Sequence, residues 1–152
     1  MLLFGLGHQL VGEGGFGWTK RIAMLHRALT DMAPDDPERE LWAYIGEKYL
    51  YTPELGEKAP ARMAGILTTL HERLEVQKMA GSHYFIGDQL SALDFYWACF
   101  VALLQPLSPD LCPMGGWPYS NPDPEVQAVL SPLLLEHRDY IYEKYLELLI
   151  VF

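Results

Sequence analysis

Apolar positions recur along most of the chain at spacings of three and four residues, the period of an α-helix rather than the alternation of a strand. From Leu2 to about Met32 the stripe passes through Leu3, Leu6 and Leu10, breaks, and resumes at Ile22, Leu25 and Leu29. The break holds Gly12, Gly14, Gly15 and Gly17. Each glycine inside a helix costs about 0.5–1 kcal/mol relative to alanine, so the cluster marks either a gap between two helices or a kink kept for close approach. A second helix is expected to open at Asp36, with its carboxylate as cap, Pro37 in the first helical position and Glu38 and Glu40 at the positive end of the dipole, and to run to Tyr51. Thr52, Pro53 and Gly56 punctuate the chain. A third helix follows from about Ala59 to Ala80, its stripe traced by Met63, Ile66, Leu67, Leu70 and Leu74 and its stop supplied by Gly81.

The segment from His83 to Gln105 carries the sharpest local signal. Ser91 precedes Asp94 by three residues, a capping box with aspartate in the place of glutamate, and Leu90 and Phe95 occupy the two positions of a hydrophobic staple. The stretch from Phe95 to Leu104 is apolar on every face, which predicts a helix in the middle of a bundle, and Pro106 ends it. Between Leu107 and Asp123 four prolines and two glycines preclude a regular element. Asp123-Pro124-Glu125 and Ser131-Pro132 each have the form of a helix start, the second leading through Leu134, Leu135, Ile141, Tyr145, Leu148 and Leu149.

Composition agrees with an all-helical fold. The 152 residues include 25 leucines and 12 alanines, against 6 valines, 6 isoleucines and 5 threonines, a balance that favours helix formers over the β-branched residues of strands. The length suits one domain, residues 1–152. A net charge of −9 is the wrong sign for neutralising phosphates, so nucleic acid is not an expected partner. The longest uncharged apolar run, Phe95 to Leu104, is half a membrane span. The residues after Met1 lack the basic start of a secretory signal, and two cysteines without a C-x-x-C spacing do not make a disulfide scaffold. The expectation is a cytoplasmic protein with no membrane contact.

Candidate chemistry is sparse. Gly12-Glu13-Gly14-Gly15-Phe16-Gly17 matches G-x-G-x-x-G literally, but that motif acts only between a parallel strand and a helix, and no β-branched run surrounds it. His8, His26, His71, His83 and His137 show no metal-ligand spacing, so no metal is expected; His71 and Glu75 read as a solvated pair one turn apart. Cys99, on the apolar helix, is expected to be a buried, inert thiol. Cys112 lies in the loop with no adjacent base to activate it. No nucleophile elbow or phosphate-binding loop is present, and no catalytic residue is assigned.

The run Tyr84-Phe85-Ile86-Gly87-Asp88-Gln89-Leu90-Ser91-Ala92-Leu93-Asp94 resembles the signature of the C-terminal helical domain of glutathione transferases, in which an aromatic-aliphatic segment leads through glycine into a capping box and a buried central helix. The order of helices is similar over most of the chain. Two departures are Leu93, where the family commonly has alanine, and the extra helix expected from Asp36 to Tyr51. The resemblance implies a helical bundle whose first helix lines a pocket for a hydrophobic co-substrate. Phe4, His8, Glu13, Trp18 and Arg21 would then be ligand-binding residues, with Trp117 and Tyr119 closing the pocket, unless Phe4 and Trp18 are ordinary core aromatics. Ser91 and Asp94 would be structural.

The family's thioredoxin-like domain, which holds glutathione, has no counterpart between Met1 and the helical part. The resemblance therefore implies no cofactor, and glutathione only where a thioredoxin-like partner domain supplies its site. The leading expectation is a stand-alone domain that binds a hydrophobic ligand or mediates assembly. The alternatives are the helical half of a transferase that conjugates glutathione to hydrophobic electrophiles, and a protein–protein scaffold. Whether the chain is an enzyme is left open. A homodimer is also implied, through the helix near Leu2 and that from Met63 to Leu74, since an isolated half would expose apolar surface.

Overall fold

The computed structural model describes residues 2–113 and 123–150, and among these it is all-helical, with no strand. In chain order the helices are α1 (Leu2–Val11), α2 (Phe16–Asp31), α3 (Arg39–Lys48), α4 (Pro53–Met79), α5 (Ala92–Phe100), α6 (Pro124–Val129) and α7 (Pro132–Tyr145), and a single 3₁₀ turn, Val101–Leu103, extends α5. α4, at 27 residues, is about 40 Å long and forms the spine. α2 lies along it, α6 and α7 pack against it, and α5 sits between α1 and α7.

The main core gathers Leu6 and Leu10 of α1, Phe16 of α2, the α4 stripe, Leu93 and Trp97 of α5, Val126 of α6 and Leu134 of α7. Trp97 is fully buried; its indole N–H donates to the Leu134 carbonyl at 2.9 Å, and Phe16 meets its ring edge-on at 6.0 Å between centroids. The connection from α4 to α5 is held from α4 itself. The Arg73 guanidinium donates to the Phe85 carbonyl at 2.6 Å, and the buried Gln77 amide donates to the carbonyls of Tyr84 and Gly87 at 2.8 and 2.6 Å.

The glycine cluster is a gap between helices. Gly14 has φ +70°, in the left-handed region that favours glycine. Gly15 caps α2 in extended conformation with no side-chain hydrogen bond, and a Cβ on it would lie 2.6 Å from the His8 carbonyl oxygen and 2.8 Å from that of Gly12. Backbone rather than flexible side chain blocks that space, so α1 and α2 meet at an angle only glycine permits. Arg62 of α4 closes the corner, donating to Gly14 O and to Gln9 Oε1, each at 3.0 Å. The corner follows a helix, so the G-x-G-x-x-G match lacks the preceding strand that a dinucleotide site requires.

Three expected boundaries move. α3 begins at Arg39 rather than Asp36; the Asp36 carboxylate instead accepts from the Glu38 N–H at 2.8 Å, stabilising a turn that the proline then continues. α3 also ends before Tyr51, at Lys48. α4 starts at Pro53, not Ala59, because Thr52 is a working cap: its hydroxyl accepts from Leu55 N–H at 3.3 Å with proline in the first helical turn. Pro60 therefore lies inside α4, where it removes one intrahelical hydrogen bond at a cost of about 3 kcal/mol, while the neighbouring Gly56 and Ala59 are buried on the α2 side.

The expectation of a centrally buried apolar helix also needs correction. Leu93, Asp94, Trp97 and Ala98 of α5 are buried, but Ala92, Tyr96 and Cys99 form an exposed face, because α1 and α7 cover only part of its circumference. Cys99 is thus an exposed free thiol, not a core one; partial burial still pushes its pKa up, away from the reactive thiolate. The terminal leucines fall beyond α7, with Leu149 58% exposed. The α4 positions Met63, Ile66, Leu67, Leu70 and Leu74 all face the chain's own core, and what α4 presents outward includes Arg62, Thr68, Thr69, Glu72 and Glu75. No helix among the described residues is long and apolar enough to cross a membrane.

Candidate functional site

One face of α2 borders a hollow. Lys20, Ala23, Met24, Arg27 and Ala28 repeat at i, i+3, i+4, i+7 and i+8, so a single helical stripe lines the cavity. The opposite wall is Trp42 of α3 with Gly56 and Pro60 of α4, and Asp123, the cap of α6, closes one end. The hollow is partly open to solvent and its volume is about 240 Å³, below the roughly 300–1,000 Å³ of drug-sized sites, so it suits a small molecule.

Small side chains keep the space open. A Cβ on Gly56 would fall 2.3 Å from the His26 ring, so glycine lets α4 approach α2 while His26 stays in place. His26 Nδ1 and the Tyr51 hydroxyl share a hydrogen bond of 3.0 Å, which ties the rim of the hollow to the segment after α3.

The walls are mainly apolar with a concentrated charge. Arg27 Nη2 lies 3.4 Å from Asp123 Oδ1, an ion pair at the mouth with both partners partly in solvent. Lys20 is different. It is only 5% exposed, and burial pushes its ammonium below the ordinary lysine value; the Asp123 carboxylate opposes that shift and Arg27 adds to it.

The residues assigned to a pocket by resemblance do not converge here. Phe4 is 82% exposed on α1, where the core takes only Leu6 and Leu10, so it is neither a core aromatic nor part of this cavity. His8 and Glu13 are exposed at the α1–α2 corner. Trp18 packs beside Ile22, Leu25 and Ala59 as a core aromatic, and Arg21 folds back on α2, donating to Gly17 O at 2.9 Å with its guanidinium 5.8 Å from the Tyr49 ring centre. Trp117 and Tyr119 lie outside the described residues. The stripe that lines the hollow was legible as a helical repeat, but its small and basic members carry none of the aromatic character by which a pocket was sought.

A second buried group emerges at the capping box. The box forms, and Asp94, fully buried, accepts from Ser91 N–H at 2.8 Å and Ser91 Oγ at 2.7 Å through Oδ2, and from Phe85 N–H at 2.9 Å through Oδ1. His137 Nε2 of α7 stands 3.1 Å from Oδ1, close but without hydrogen-bond alignment. Burial pushes the Asp94 pKa up, but His137, Phe85 and Ser91 together outweigh it and hold the carboxyl below its ordinary value. The sequence showed the box but not His137, which lies 43 residues away.

No protein family, characterised protein or solved structure matches the chain.

A larger hollow of about 390 Å³ lies between the end of α4 and α7, beside His83, which stacks on Tyr140 at 5.0 Å. It is more open, and its charged wall residues Lys78 and Glu136 already face one another at 4.0 Å. His71 also has partners: Glu75 at 3.5 Å, as expected, and Ser131 Oγ at 2.8 Å, which links α4 to the cap of α7. Among the described residues no group of three or more His, Cys, Asp or Glu side chains is placed to hold a metal.

Proposed function

We propose that this chain is a helical binding module of the glutathione-transferase C-terminal type, which holds a small, largely apolar ligand in the cleft between α2, α3 and α4 and does not conjugate glutathione by itself. The observation that carries the binding role is the cleft: a face of α2 set with Ala23, Met24 and Ala28 opposite Trp42 and Pro60, with a few polar groups converging at one end. The family type is supported by the signature from Tyr84 to Asp94 and by the use of Asp94 as a buried box that starts the α5 helix. No step of covalent chemistry is assigned, because none of the cavity's side chains pairs a nucleophile with a base.

Titration of isotope-labelled protein with 1-hexanol, followed by amide and indole resonances, tests the reading. The Trp42 indole and the amides of Ala23 and Ala28 are expected to shift together with a Kd on the order of 1 mM, which is about −4 kcal/mol. Ala28→Leu, which fills the cleft, is expected to weaken binding. Shifts confined to other surfaces, or none up to the solubility of the alcohol, would overturn the proposal.

A further inference from the structure

Lys20 is the anomaly of the cavity. It sits in the second turn of α2 among Phe16, Gly17 and Thr19, all buried, and with 5% of its surface accessible it is itself a buried residue. Among the described residues no acceptor makes a hydrogen bond or ion pair with its ammonium. Its ammonium is not sealed off either: Lys20 lines the cleft, and among the described residues the fully enclosed side-chain polar atom without a hydrogen bond is His137 Nε2. An ammonium held among buried residues with no bonded counter-charge is costly. A methionine or leucine at this position would fill the same space without that cost, so a buried, unpaired lysine is where local stability has been given up.

The surrounding charges say what would compensate it. The cleft is lined by two basic side chains, Lys20 and Arg27, and one carboxylate, Asp123. Asp123 is engaged by Arg27 at 3.4 Å and is felt by Lys20 only at longer range. One positive charge is left over, at the inner end of an otherwise apolar space lined by Ala23, Met24, Trp42 and Pro60. In a protein whose net charge is −9, a local positive excess is not a by-product of general basicity.

We infer that the ligand of this cleft is a small amphipathic monocarboxylate, its carboxylate paired with the Lys20 ammonium and its apolar body laid between α2 and Trp42. Arg27 guards the mouth and, through its pair with Asp123, leaves Lys20 as the anchoring cation. The size of the cavity limits the body to a short alkyl chain or one ring. This inference rests on the cleft being a ligand site, and it adds the chemical class of that ligand.

Hexanoate and 1-hexanol share an alkyl chain and differ in charge, so together they separate the two claims. The parent protein is expected to bind hexanoate at least tenfold more tightly than 1-hexanol at neutral pH. Lys20→Met, which keeps the length and removes the charge, is expected to lose that preference while still binding the alcohol. If the parent binds neither compound, the cleft is not a ligand site and both readings fall. If it binds the alcohol as well as the acid, the carboxylate inference alone is wrong. A preference that survives in Lys20→Met also overturns it, by moving the recognition to another cation. Should that variant not fold, the Lys20 ε-carbon resonance of the parent decides: it moves with hexanoate and not with hexanol, or the inference fails.

Discussion

Replacing Asp94 with alanine withdraws an acceptor from three hydrogen bonds and from the His137 ring at once. The capping box alone would be worth about 0.5–2 kcal/mol, the ordinary value of a helix N-cap. The structure raises that figure. The Phe85 N–H is buried, so losing its partner leaves an unsatisfied donor worth about 1–3 kcal/mol. His137 is left beside an apolar methyl with its buried Nε2 facing no polar group, which adds about 1–3 kcal/mol for a buried polar atom without a partner. The expected loss for Asp94→Ala is therefore roughly 3–5 kcal/mol, a large share of the 5–15 kcal/mol that a typical domain possesses. At about 2–4 °C per kcal/mol for a chain of this length, Tm falls by on the order of 10 °C.

The pH dependence has a definite sign. The folded protein holds the Asp94 carboxyl below its ordinary value of 3.8, so the unfolded chain binds this proton more readily. The contribution is fully present above about pH 4, the unfolded value, and is lost as pH falls through the lower folded value. The gap between parent and variant is accordingly expected to narrow in acid. Urea melts at neutral pH and at descending pH below 4 measure both effects. Curves for Asp94→Ala that overlay the parent with the same slope would refute the capping and pairing argument together. A loss held to about 1 kcal/mol would leave the cap and remove the tertiary terms.

Gly15→Ala is expected to destabilise by about 1–3 kcal/mol, the range of overpacking against groups that cannot yield, since its Cβ would meet the His8 and Gly12 carbonyls; a denaturation midpoint equal to the parent's would contradict the corner described here. Under the binding-module reading, glutathione mixed with a chromogenic electrophile is expected to react at the uncatalysed rate whatever the concentration of this chain. A rate rising linearly with protein and abolished by Arg21→Ala or Trp18→Ala would favour the transferase reading over a binding module.

The helical class, the main stripes and most helix starts were present in local sequence, because a 3.6-residue period and a capping side chain act over a few residues. Ser91, Asp94 and Ser131 could be read as caps without knowing what surrounds them. The glycine cluster was legible as an interruption, either a break between helices or a kink, and the structure shows a break, with the His8 carbonyl close against Gly15. Thr52 was visible too, but with Pro53 and Gly56 it read as punctuation before a later start, and only the structure shows Thr52 capping α4 with Pro60 inside it. Burial around α5 was beyond local reading. A run apolar on every face says that it avoids water but not which face finds a neighbour, and α1 and α7 leave Tyr96 and Cys99 outside. The same holds for the cleft. Lys20 is an unremarkable lysine in sequence, and its meaning comes from α3 and α4 closing over it and from Arg27 drawing Asp123 away, relations between residues up to about a hundred positions apart that tertiary packing alone sets.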